Sequence, residues 1–256
     1  MLSQNQIKHI TSLKSKKFRE EYRQFIAEGH KLVTDLMESP FSFSGIYASA
    51  EWIVGNLKAI QARNIPSFET TPREMERISA LSNPSNVLAV LEIPSPSPGP
   101  SPVGEGKGVG LSLALDDIRD PGNMGTIIRT ADWFGIGTII CSGSCVDLYN
   151  PKVVQATMGS ITRVRVFYED LEKYLAEIKG PAPIYGAFLE GEDLYTATLS
   201  AGGIILIGNE AHGISPALEK LVTRKISIPS YGKAESLNAS VAAAVICAEF
   251  RRRTKE

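Results

Sequence analysis

The stretch Ile93-Pro-Ser-Pro-Ser-Pro-Gly-Pro-Ser-Pro-Val-Gly-Glu-Gly-Lys-Gly constrains the chain more than any other. Each of its five prolines fixes φ and removes a backbone donor, so neither a helix nor a central strand can run through it. The sequence therefore predicts two bodies joined by a semi-extended connection. Residues 1–93 form the first, 94–109 the linker and 110–256 the second.

Short elements alternate before the linker. Helices are expected over 18–25, 29–37 and 51–62, and strands over 43–48 and 87–93, which makes a small α/β unit. After the linker the alternation sharpens. The continuous apolar run over 109–115 reads as a buried parallel strand. A helix over 124–134 carries Met124, Ile127, Ile128, Ala131 and Phe134 on one stripe. Further strands are expected over 138–141, 184–189, 204–207 and 226–228, and helices over 151–158, 215–222 and 237–252. Strands separated by helices imply a mostly parallel sheet covered on both faces. Ligands in such sheets bind beyond the carboxyl ends of the strands, so the loops that follow strands matter most.

Several chemistries are missing. No G-x-G-x-x-G lies between a strand and a helix, and no Walker-type phosphate loop or G-x-S-x-G elbow is present. Three scattered histidines and one C-x-x-x-C give no metal set. Cys141, Cys145 and Cys247 are odd in number, so free thiols in a reducing compartment are expected. The polar stretch 1–10 is no signal peptide, and no apolar run could span a bilayer. These features suggest a cytoplasmic protein without a membrane segment or a metal. The net charge of −1 does not mark a polyanion binder. However, Lys8, Lys14, Lys16, Lys17, Arg19 and Arg23 cluster near the start, with Lys31 beyond. They fit either a solvated helix surface or an RNA contact.

Three loops after strands carry the polar residues of interest. In the first, Asp120-Pro-Gly-Asn123 is turn chemistry opening into a helix that Asn123 can cap. Arg129 points away from the apolar stripe of that helix, where Asp132 could pair with it. The second is Gly208-Asn-Glu-Ala-His-Gly213, whose glycines permit close backbone approach. The third runs from Pro229 to Glu235, with Ser236 available as a cap and Asn238 in the first turn of a helix rich in small residues. Taken singly, each fits an ordinary turn.

Together and in this order, they resemble the three motifs of the SpoU (TrmH-type) RNA ribose methyltransferases of the SPOUT superfamily. Motif one is matched by Asp120-Pro-Gly-Asn-Met-Gly-Thr-Ile-Ile-Arg-Thr-Ala, motif two by Ile207-Gly-Asn-Glu-Ala-His-Gly-Ile, and motif three by Ile228-Pro through Ser236-Leu-Asn-Ala-Ser-Val-Ala. Ala239, Thr157, Ala211 and His212 depart mildly from the usual pattern. Phe25-Ile-Ala-Glu-Gly-His-Lys-Leu-Val resembles the start of the ribosomal-protein-like substrate-binding domain often fused to these enzymes. The resemblance implies a trefoil knot, a homodimer and S-adenosylmethionine as cofactor. It places Gly208, Asn209, Gly213, Ile228 and Leu237 at the cofactor, and Arg129, Asn123, Glu210, Ser236 and Asn238 at the reacting ribose. Structured RNA is the implied substrate, ribosomal before transfer RNA, with the basic cluster at Lys14, Lys16, Lys17, Arg19, Arg23 and Lys31 as its contact. A non-catalytic RNA-binding relative is the alternative.

Overall fold

The computed structural model describes residues 1–95, 110–178 and 182–253. All but the first two residues of the linker expected over 94–109 lie outside this set. The chain divides into two compact units. The first joins the N-terminal residues to the later segment Asp147–Thr162, and the second comprises the rest.

The first unit holds a four-stranded sheet in the order β1-β4-β2-β3. Its strands are β1 (Gln24–Glu28), β2 (Phe43–Ala48), β3 (Ser67–Glu69) and β4 (Val87–Glu92). β4 pairs antiparallel with β1 and β2, whereas β2 and β3 are parallel. Helix α1 (Gln4–Ser12) starts with a capping box between Ser3 and Gln6, which satisfies donors that a helix start leaves free. Helix α2 (Lys16–Tyr22) is shorter than the 18–25 pattern suggested. Arg23 takes a left-handed conformation (φ 53°), ending the helix and turning the chain into β1. The following helix, α3, spans His30–Met37. The helix expected over 51–62 is two, α4 (Ala50–Gly55) and α5 (Leu57–Ala62). Asn56 breaks it, with its side-chain amide donating back to the Trp52 carbonyl at 2.8 Å. Helix α6 (Pro72–Ile78) carries a Thr71–Glu74 capping box with Pro at its start. Ile10, Leu13, Ile26, Ile78 and Leu88 pack the core between helices and sheet. The segment 147–162 contributes α8 (Pro151–Ala156), and Tyr149 lies with its ring 4.8 Å from that of Phe25.

The second unit is a six-stranded sheet in the order β10-β8-β9-β5-β6-β7. The strands are β5 (Leu111–Leu115), β6 (Thr138–Ser142), β7 (Arg165–Glu169), β8 (Ile184–Asp193), β9 (Gly203–Ile207) and β10 (Arg224–Ser227). Every pairing is parallel, as the apolar runs suggested. Leu113, Ala114, Leu115, Ile205 and Leu206 are fully buried, so truncating Leu113 to alanine would cost about 3 kcal/mol. The helices are α7 (Pro121–Trp133), α9 (Leu171–Ala176), α10 (Pro216–Glu219) and α11 (Ala239–Arg253). α11 packs on α7, and Arg251 donates to the carbonyls of Phe134 and Gly135 beyond the end of α7. β5 leads to β6 on one side while its neighbour β9 leads to β10 on the other. Such a divergence at the carboxyl edge is the usual ligand position in parallel sheets. Among the described residues, no helix is long and apolar enough to cross a membrane.

Candidate active site

The loop after β5 is built on aspartates. Asp116 is buried, and its Oδ2 accepts the amide N–H of Ser215 at 2.8 Å, which anchors the loop that follows β9. Asp117 adopts a left-handed conformation (φ 58°), with its amide N–H donating to Ser142 Oγ at 3.0 Å. Burial pushes the Asp117 carboxyl up, but hydrogen bonds from Arg119 and Ser144, with the charges of Arg119 and His212, outweigh it and hold the group below the usual range. Cys145 lies beneath this turn, its Sγ accepting the Ile118 amide N–H at 3.3 Å. All three cysteines are free and buried.

Asp120, not Asn123, caps α7. Its Oδ1 accepts the Asn123 amide N–H at 2.8 Å, with Pro121 in the first position, the arrangement a Pro at a helix start favours. Asn123 stands inside the first turn and its side chain is free for other partners. Its Nδ2 donates to Glu210 Oε1, and its Oδ1 accepts a hydrogen bond from Asn238 Nδ2 at 2.8 Å. Asn238 Oδ1 in turn accepts from the Ser240 amide at 2.9 Å and the Ser240 hydroxyl at 2.6 Å. Asn238 therefore caps α11, and Ser236 does not: it lies in the exposed stretch 231–238. One residue from each of the three loops thus meets in a single chain, Glu210–Asn123–Asn238.

The loop after β9 is closed by Asn209. Its amide donates to the Gly213 carbonyl at 3.0 Å and its carbonyl accepts the Gly213 N–H at 2.8 Å. Its Oδ1 accepts from Ala211 and its Nδ2 donates to the Asp117 carbonyl, both at 2.8 Å. Gly213 has φ 67°, and a Cβ on Gly208 would lie 2.3 Å from the Gly213 carbonyl carbon, so neither position readily accepts a side chain. After β10, Ile228 is half-buried, while Leu237 and Tyr231 are 46% and 93% exposed.

Arg129 is exposed on α7 but lies outside the Asn123 chain. Six residues at 3.6 per turn place it about 120° round the helix from Asn123. Its suggested partner Asp132 pairs instead with Arg163 at 2.8 Å. Trp133, four residues on from Arg129 and near the same face, is 84% exposed.

The N-terminal cations do not form one free basic face. Arg19 is a correction: only 2% of it is exposed. Its guanidinium donates to Asp147 Oδ2 at 2.6 Å and to the Leu13 and Lys14 carbonyls at 2.9 Å each, so it is an interior structural cation. Arg23 is exposed but donates to the Pro94 carbonyl at 2.6 Å. Lys14 donates to the Ser79 carbonyl, Lys16 pairs with Glu20 at 3.7 Å, and Lys31 pairs with Asp35 at 2.6 Å. Lys17 sits over the Phe18 ring. Lys8, Lys16 and Lys17 remain exposed.

Sequence reasoning missed the supporting aspartates. Asp120 was legible, since Asp before Pro at a helix start is a capping signature. Asp116 and Asp117 had no comparable signal, because their partners, Ser215 and Asn209, lie far along the chain.

Three polar loops thus converge at the switch point of a parallel sheet, the position where α/β enzymes bind their ligands. The comparisons give the family. Residues 110–248 match the model of the SpoU rRNA Methylase family, and residues 4–89 that of the MRM3-like substrate binding domain. The chain belongs to the SpoU rRNA methylase family and is an RNA methyltransferase of that family. It is 28% identical to the 23S rRNA guanosine 2′-O-methyltransferase RlmP of Bacillus subtilis, over 96% of this chain and 95% of that one. A TrmH-family RNA methyltransferase structure from Porphyromonas gingivalis, described as putative, aligns with TM-score 0.86 at 37% identity, covering 99% of this chain and 100% of that one. An AdoMet-bound rRNA methyltransferase from Sinorhizobium meliloti aligns with TM-score 0.86 at 29% identity, covering 100% and 97%.

Proposed function

We propose that this chain transfers a methyl group from S-adenosylmethionine to a ribose 2′-hydroxyl of ribosomal RNA. The observation that carries the reading is the Glu210–Asn123–Asn238 chain, which ties the three family motifs together at the carboxyl edge of the sheet. Ribosomal RNA is favoured over transfer RNA because RlmP, and rRNA methyltransferase 3 of Homo sapiens mitochondria, align over 96% of this chain.

The cofactor's fit rests on the loops after β9 and β10. Leu237 and Tyr231, in the stretch after β10, present exposed apolar surface, and the turn after β9 is closed by backbone pairing of Asn209 with Gly213. Flat apolar rings seek such surface, with a few backbone polar groups to orient them. Gly208, Asn209, Gly213, Ile228 and Leu237 would hold the cofactor. It supplies an electrophilic methyl group on a sulfonium, so the leaving group is already good.

The chain's own task is the nucleophile, since a sugar hydroxyl is barely acidic at neutral pH. Positioning it and offsetting its developing charge lowers the barrier. Arg129 suits the second task. A guanidinium stays protonated in proteins, so Arg129 acts as a fixed charge on the alkoxide or adjacent phosphate, not as a base, and the 2′-hydroxyl proton leaves with the help of that phosphate. Asn123, Ser236 and Asn238 hold the ribose, and Glu210 orients Asn123.

The same reading includes the family's trefoil knot and its homodimer. Exposed Trp133 and Val241, on the packed helices α7 and α11, support the dimer. The N-terminal unit binds RNA through exposed lysines such as Lys8, Lys16 and Lys17, and the protein works in the cytoplasm, with residues 1–93 as the substrate-binding domain and 110–256 as the methyltransferase domain, which lends Asp147–Thr162 to the first compact unit. Ribose methylation mapped in RNA from cells with and without the protein tests the proposal, together with calorimetric titration of S-adenosylmethionine. A methyl group found on a base, or no cofactor binding, would reject it.

A further inference from the structure

Arg119 has no part in the mechanism above, yet it is held in an unusual way. Asp117, in its left-handed turn, presents Oδ1 to Arg119 Nε at 2.8 Å. The Asp117 main-chain carbonyl takes the side-chain amide of Asn209 at 2.8 Å. Arg119 is thereby oriented from the same turn that closes the cofactor loop. Its side chain is 73% exposed, and no hydrogen bond to a described residue occupies its two terminal nitrogens.

The other carboxylates of these loops have partners of their own. Asp116 Oδ2 accepts from the Ser215 amide, Asp120 Oδ1 from the Asn123 amide, and Glu210 from the Asn123 side chain. Each of these carboxylates thus has one oxygen engaged by a donor of the loops themselves, while the Arg119 side chain is exposed. A guanidinium fixed at Nε retains the two-pronged edge that matches a phosphate. Arg119 also immediately precedes Asp120, which caps the helix bearing Asn123.

We infer that Arg119 is an RNA-positioning residue that grips a backbone phosphodiester near the target ribose through its terminal nitrogens. The inference rests on the reading of the chain as an RNA ribose methyltransferase. Asp117 then serves both loops, bracing the cofactor turn through Asn209 and aiming the phosphate contact through Arg119.

The test uses the full-length protein and ribosomal RNA isolated from cells that lack it. For Arg119→Ala, KM for RNA rises roughly 10-fold with kcat little changed, and the log–log salt slope of RNA affinity falls by about 1, as for one lost phosphate contact. Cofactor affinity by calorimetry stays the same. Arg119→Lys keeps the salt slope but only part of the KM. A wild-type KM and slope in Arg119→Ala would overturn the inference, and so would a loss of cofactor affinity, which would make Arg119 a support of the cofactor loop. If the unsubstituted protein fails to methylate this RNA, the underlying reading falls with it.

Discussion

Asn123 Oδ1 accepts a hydrogen bond from Asn238 Nδ2 at 2.8 Å across 115 positions of sequence, while the other end of the same amide donates to Glu210. Both ends of Asn123 are thus committed, and its orientation is set by two loops at once. Replacing it with alanine leaves Glu210 and Asn238 without this partner. We expect turnover to fall about 100-fold, the scale of a small misplacement at a reacting centre, with a stability loss near 1 kcal/mol. Asn123→Asp should be worse, because it sets a second carboxylate against Glu210. Single-turnover assays beside thermal melts separate the two effects.

Arg129 is exposed on α7, so substitution there should leave the melting temperature unchanged. Arg129→Ala is expected to lower kcat by roughly 100-fold or more, as removal of a donor to developing charge does elsewhere. Arg129→Lys keeps the charge and loses the fork. Near-normal turnover in that variant would show that charge alone suffices.

Gly208→Ala places a methyl group 2.3 Å from the Gly213 carbonyl carbon. Backbone must then move, and overpacking of this kind costs about 1–3 kcal/mol. The displaced turn is the one assigned to the cofactor. With that cost falling on the bound turn, affinity for S-adenosylmethionine should drop roughly 5- to 150-fold, since each 1.4 kcal/mol is a factor of ten. Isothermal titration would detect it, and unaltered affinity would move the cofactor away from this loop.

Arg19 and its lysine neighbours should behave oppositely. Arg19→Ala strands the Asp147 carboxylate and two carbonyls, and breaking a buried pair costs about 3–5 kcal/mol. The melting temperature should drop sharply. Lys16→Glu with Lys17→Glu should spare the melt but weaken RNA binding and flatten its salt dependence. Melting curves and a salt titration on both variants decide the matter.

Glu249 sets an acid limit. The hydrogen bond from Arg252, opposed by burial and joined by Arg253, holds its carboxyl at about 2. A depressed carboxyl stabilises the folded state above its unfolded value of ~4.3, and that contribution is lost as pH falls from there towards 2. Glu249→Gln should flatten the stability curve over that interval and leave its pH dependence above 5 unchanged. Urea titrations from pH 2 to 6 read this directly.

Much of the fold could be read from local pattern. The apolar runs of β5 and β9 announced a buried parallel sheet, and the stripe Met124, Ile127, Ile128 and Ala131 marked the buried face of α7. The boundaries slipped where one residue's backbone decided them, as at left-handed Arg23 and at Asn56. Motif residues were legible by type, but their duties were not. Asn123 looked like a cap because Asn often is one, yet Asp120 stands three residues earlier, directly before Pro121, and takes that duty. Arg19 looked like part of a basic face because nothing nearby in sequence reveals Asp147.

That last pair has a consequence for biosynthesis. Asp147 follows Arg19 by 128 residues. At translation rates of about 5–20 residues per second, the guanidinium waits on the order of ten seconds for its partner to be made. The nascent N-terminal unit therefore emerges incomplete. Its last piece, Asp147–Thr162, arrives only after β5, α7 and β6 of the other unit have been synthesised. The two units must mature interleaved in time, and a chain released early would carry a buried charge with no counterion.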